Sequence, residues 1–132
     1  MKKNKKKTSQ KQGVLSKSMK ASAMILEFAS DYILMGENLE ERQSAINSAC
    51  SAWNLALFPD GERTPRLWRY MDEIRQANPG IEEDELADIQ FNVELLIKEK
   101  LRLFPQVRKK MLHAEIVEVN GEEKVTVLSA DT

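Results

Sequence analysis

The sequence predicts a mainly α fold: a four-helix bundle-like domain closed by a C-terminal β-hairpin and preceded by a disordered basic N-terminal tail. Three observations predict it. Apolar residues recur at three- and four-residue steps through most of the 132 residues, which is the helical period. Near the C-terminus two β-branched runs flank Asn120-Gly121, a strong hairpin signal. The first twenty residues hold eight lysines (Lys2, Lys3, Lys5, Lys6, Lys7, Lys11, Lys17 and Lys20) and no acid. Residues 1–17 are assigned to the tail, because a Lys/Ser/Gln-rich segment with only Val14 and Leu15 to bury cannot offset its ordering entropy. Residues 18–130 are assigned to one helical domain, with the hairpin at about 113–129.

The first helix starts near Ser18 and carries Ala21, Met24, Ile25, Phe28, Tyr32 and Met35 on one face. Gly36 is expected to close it with a positive φ. Asn38 followed by Glu41 reads as an N-cap with a reciprocating acid, so a second helix follows after a short antiparallel turn. This second helix is expected to be central. Residues 43–59 contain no charge in a chain that is 31% charged. Around the helix they divide into an Ala stripe (Ala45, Ala49, Ala52, Ala56), a bulky stripe (Ile46, Cys50, Trp53, Leu57) and a neutral arc of Asn47, Ser51, Asn54 and Phe58. Pro59-Asp60-Gly61 is turn chemistry. Thr64-Pro65 then reads as the cap and first position of a third helix, with Leu67, Trp68, Met71 and Ile74 buried and Arg63, Arg66, Arg69 and Arg75 on its charged side.

Asn78-Pro79-Gly80 ends the third helix, and a fourth spans about 82–104. Its acidic start and basic end match the helix dipole. Pro105 interrupts it, and residues 107–112 are expected to add one short helical turn. In the hairpin, a two-residue loop would set Glu118 against Glu123, which is unfavourable. A three-residue loop over 120–122 would set Val117 against Val125 and Glu118 against Lys124. The second register is preferred.

Composition bounds the function. A single Cys50 allows no internal disulfide, no apolar run is long enough to span a bilayer, and no h-region follows the basic start. Cytoplasm is the expected location. The net charge of −1 conceals an asymmetry: residues 21–132 hold 12 of the 20 basic residues against all 21 acids, a net of −9.

Few residues suggest chemistry. Cys50 on an uncharged helix lacks the base or positive field a thiolate needs, so it is read as a structural thiol. His113 has no second histidine to complete a zinc set, and the acidic run at 82–88 lacks the spacing of a calcium loop. No phosphate-cradling glycine loop, Gly-x-Ser-x-Gly elbow or nucleotide fingerprint is present. The expectation is a non-enzymatic adaptor or regulatory protein with no cofactor and no small-molecule substrate. Its partner would be another protein or a second copy, and its candidate partner-binding residues are Asn47, Ser51, Asn54 and Phe58, with the hairpin edge as a second surface. The alternative is nucleic-acid binding through Lys2, Lys3, Lys5, Lys6 and Lys7 together with Arg63, Arg66 and Arg69.

The segment Trp53-Asn54-Leu55-Ala56-Leu57-Phe58-Pro59, with the later Leu103-Phe104-Pro105 step before a β-rich tail, resembles small bacterial helical proteins. The resemblance covers residues 20–130 and omits the Lys tail. It implies a bacterial, cytoplasmic, mainly helical domain, and no activity.

Overall fold

The computed structural model describes residues 20–131, and the tail assigned to residues 1–17 lies outside them. Four helices are followed by a two-stranded antiparallel hairpin: α1 (Ala21–Leu34), α2 (Leu39–Ala56), α3 (Asp60–Ala77), α4 (Glu83–Leu103), β1 (Lys110–Val119) and β2 (Glu122–Ala130). The architecture is the one expected. The hairpin strands run a few residues beyond their expected ends.

α1 buries Met24, Ile25, Phe28, Ala29 and Ile33, whereas Met35, just past its end, is 72% exposed. Gly36 does not close α1 with a positive φ; among the described residues only Asn120 and Gly121 have one. Its requirement for glycine is steric. A Cβ there would lie 2.8 Å from the backbone nitrogen of Arg42 and 3.0 Å from the carbonyl carbon of Glu41. The absence of a side chain lets α1 turn directly onto the start of α2, and Arg42 Nη1 donates to the Gly36 carbonyl across the turn at 3.0 Å. Asn38 caps α2 as expected, accepting from Glu41 N at 2.9 Å. The Glu41 carboxylate reaches one residue further back, accepting from Glu37 N at 2.8 Å.

α2 is the central element. Both its Ala stripe and its bulky stripe are buried. Trp53 meets Phe28 of α1 edge-on with ring centroids 5.4 Å apart, and Phe104 at the end of α4 at 5.7 Å. Aromatic pairs in such offset geometry add about 0.5–1.5 kcal/mol beyond burial.

α3 departs from expectation at its start. It begins at Asp60, five residues before Pro65, and Pro65 lies inside it. The Pro59 carbonyl starts the ladder by accepting from Glu62 N at 2.9 Å and Arg63 N at 3.1 Å. Asp60 and Glu62 then occupy the first turn, where the dipole favours acids. Pro65 withholds the donor that the Gly61 carbonyl would otherwise receive. Gly61 is exposed, so water can serve that carbonyl instead. Trp68, expected in the core, is 62% exposed, and only Leu67 and Met71 of α3 are buried.

α4 opens on a capping box between Glu82 and Glu85. The helical turn expected over 107–112 does not form: residues 110–112 belong to β1, where Asn54 engages both the N–H and the carbonyl of Met111. Lys100 Nζ donates to Phe104 O at 2.7 Å and to Val107 O at 2.8 Å. The chain then extends into β1.

The hairpin adopts the two-residue loop, not the preferred three-residue one, so Ile116 faces Val125, Val117 faces Lys124 and Glu118 faces Glu123. Asn120 (φ 54°) and Gly121 (φ 82°) supply the two left-handed residues of a type I′ turn. The Glu118–Glu123 opposition is relieved from outside the hairpin. Arg42 of α2 forms an ion pair with Glu123, with its Nε 2.8 Å from Oε1. A register shift between Met111 and His113 leaves Leu112 as a bulge. Met111, Ala114 and Ile116 face inward and complete the core on α2.

Candidate functional site

Two surfaces meet the hairpin. The first is the seam between α2 and β1, which contains the neutral arc of α2. Gln43 and Asn54 lie about three turns apart on α2. Each uses its amide on the β1 backbone as a neighbouring strand would. Asn54 Nδ2 donates to Met111 O at 2.8 Å, and its Oδ1 accepts from Met111 N at 2.8 Å. Gln43 Nε2 donates to Ala114 O at 2.9 Å, and its Oε1 accepts from Ile116 N at 2.9 Å. Trp53 Nε1 donates to Lys109 O at 2.7 Å, and Arg108 Nη1 donates to Leu57 O at 3.0 Å. Four of these bonds close the outer edge of β1 against α2, and the last two anchor the segment that leads into it.

This places the four predicted partner-binding residues. Asn54 is committed to Met111. Asn47 is exposed and accepts from Gln43 at 3.0 Å. Ser51 is half-buried. Phe58 is half-buried and carries the Arg66 guanidinium 3.8 Å over its ring. Within the arc, Asn54 thus lies under the hairpin, Asn47 faces solvent beside Gln43, and Phe58 packs under Arg66.

Of the predicted nucleic-acid contacts, Lys2, Lys3, Lys5, Lys6 and Lys7 lie outside the described residues. Arg63 binds the Phe58 carbonyl at 2.8 Å and Asp60 at 3.1 Å, so it caps the α2–α3 junction. Arg66 pairs with Glu62 at 3.6 Å in addition to its contact with Phe58. Arg69 is exposed. Arg63 and Arg66 are thus engaged at the α2–α3 junction.

The second surface is the other edge of the hairpin. Antiparallel pairs alternate between hydrogen-bonded and non-hydrogen-bonded. Ala114 and Ile116 point their main-chain groups away from β2, toward Gln43, so their partners Val127 and Val125 point theirs away from β1. By the same alternation Glu123 and Ser129 do likewise. Among the described residues no backbone bond from another element reaches these four. Beside this edge lies a groove of about 440 Å³ lined by Leu26, Ser30 and Leu34 of α1 and by Ile116 and Val125 of the hairpin, with Arg42 and Glu123 at its rim. Leu26 is 40% exposed and Leu34 72%.

Sequence reasoning placed Lys100 only in the basic last turns of α4, and the structure buries it. The residue is 1% exposed, and its ammonium lies 4.9 Å from the centroid of the Trp53 ring. Burial, and then the nearby Arg108 charge, hold its pKa down at about 8. Cys50 is buried, and desolvation pushes its thiol up to about 11, the environment of an inert thiol. His113 is exposed on β1. Among the described residues no group of three or more His, Cys, Asp and Glu could hold a metal ion, and no helix is long and apolar enough to cross a membrane. No family profile, curated protein or solved structure matches the chain.

Proposed function

We propose that the chain is a non-enzymatic protein-binding module that engages its partner by strand addition at β2. The observation that carries this reading is the asymmetry of the hairpin: α2 amides close the edge of β1, while the edge of β2 stays open beside an apolar groove. Edge strands with unpaired main-chain groups are templates for a further strand, and alternate side-chain pockets give selectivity. Here the pockets belong to Leu26, Leu34 and Val125. Bacterial origin and a cytoplasmic location are part of the same proposal.

Val127→Pro tests it, because the substitution removes an outward N–H and leaves the β1–β2 ladder intact. Chemical cross-linking in a lysate, with the wild-type chain and the variant compared, should give adducts that the variant loses, whether with another protein or a second copy. Identical adduct patterns would remove the reading.

The alternative, nucleic-acid binding, rests on the eight lysines of residues 1–20. It predicts salt-sensitive binding of DNA or RNA by the full chain that is lost when residues 1–17 are deleted. No binding by the full chain at low salt eliminates it.

A further inference from the structure

We infer that the partner at the β2 edge is a second copy of this chain, related by a twofold axis through Thr126, so that two hairpins join into one four-stranded sheet in the order β1-β2-β2-β1. The inference rests on the strand-addition reading and adds the identity of the partner.

Self-complementarity along β2 carries it. The strand spans Glu122–Ala130, and Thr126 is its midpoint. Antiparallel self-pairing about that midpoint is the register that leaves no residue of the strand unpaired. It sets Glu122 against Ala130, Glu123 against Ser129, Lys124 against Leu128 and Val125 against Val127 of the second copy. No like charges oppose each other. Centring on Lys124 would bring the two copies' Lys124 residues face to face, and centring on Glu123 would do the same with two carboxylates, both unfavourable.

The main-chain directions agree. Glu123, Val125, Val127 and Ser129 are the residues whose N–H and C=O groups point outward, and this register pairs them only with one another, for about eight intermolecular hydrogen bonds. β2 itself carries no bulge and no proline, and its charges are confined to the first three residues, so the usual devices that block edge pairing are missing from 125–130. β1 offers no competing edge, because Gln43 and Asn54 occupy it. Leu26 and Leu34 flank the edge as the apolar surface the second copy covers.

Full-length protein in analytical ultracentrifugation should be a dimer whose dissociation constant rises at least about tenfold in Val127→Pro, which lacks one outward donor per copy. Thr126→Lys places two like charges at the axis on an exposed position, so the folded monomer tolerates it while the dimer weakens in a salt-dependent way. Register is read by mild oxidation. In a non-hydrogen-bonded pair the Cα atoms lie about 4.5 Å apart, within disulfide range. Thr126→Cys should cross-link to itself. Lys124→Cys and Leu128→Cys should cross-link to each other when mixed but not alone, with the buried Cys50 silent throughout. A wild-type chain that stays monomeric into the high micromolar range, with no Thr126→Cys disulfide, overturns the inference. If Val127-dependent adducts with another protein persist in that case, strand addition stands with a different partner. If they are absent as well, both fall.

Discussion

At the residue scale, the two amides of α2 and the buried Lys100 do what the sequence did not advertise. Asn54 and Gln43 each satisfy one backbone donor and one backbone acceptor of β1. Removing a partner and leaving such groups unpaired costs about 1–3 kcal/mol per group. Asn54→Ala is expected to lower unfolding free energy by about 2 kcal/mol in urea titration. An unchanged midpoint would mean that water replaces the amide without penalty.

Lys100 gives a prediction with a sign. Its folded pKa of about 8 lies below the usual 10.5, so between those values the unfolded chain holds a proton that the folded chain has released. Stability contributed by this group therefore rises as pH increases from about 8 to 10.5, by up to about 3 kcal/mol. The groups facing it are the Phe104 and Val107 carbonyls, the Trp53 ring and the Arg108 charge. Urea midpoints of the wild type and Lys100→Met, compared across that window, isolate the effect, since every other group is common to both. A difference that stays flat with pH would show that Lys100 is solvated.

At the element scale, two glycines are needed for different reasons. Gly36→Ala forces a methyl against the Arg42 backbone, and overpacking of this kind costs about 1–3 kcal/mol. Gly121→Ala meets open space and pays only for its left-handed φ, about 1 kcal/mol. Thermal unfolding should rank Gly36→Ala as the more damaging. Arg42 belongs to the same level: it binds the α1–α2 turn through Gly36 and the start of β2 through Glu123. That contact explains the hairpin register. Two opposed carboxylates look unfavourable while the strands are considered alone, and one of them turns out to be neutralised by a helix 81 positions away.

At the scale of the whole molecule, the hairpin is part of the core. It contributes Met111, Ala114 and Ile116 to the hydrophobic cluster and covers the uncharged side of α2. A chain ending at residue 105 is expected to lose cooperative thermal unfolding and to expose Trp53, seen as a red-shifted fluorescence maximum. A sharp transition with buried-Trp emission would mean that the four helices fold alone. The same arrangement distributes the molecule's surfaces: one edge of the hairpin is consumed internally, and the other faces outward beside the α1 groove.

The helices, the Asn38 cap and the existence of the hairpin were legible in the sequence, because periodicity, Asn38 and Asn120-Gly121 act through near neighbours. So was the central place of α2, since an uncharged segment in a highly charged chain has to be covered. What covers it was decided only in three dimensions. The carbonyls that Gln43 and Asn54 serve lie 71 and 57 positions away, and nothing local marks an amide as a strand surrogate or a lysine as the cap of a helix it would ordinarily leave for water. Proline misled for the same reason: Pro65 reads as a start signal in isolation, but the carbonyl of Pro59 had already begun α3. The neutral arc of α2 was visible from the residues alone. That Asn54 within it and Gln43 beside it hold a strand, and thereby leave β2 as the open edge, follows from long-range pairing that no short window of sequence contains.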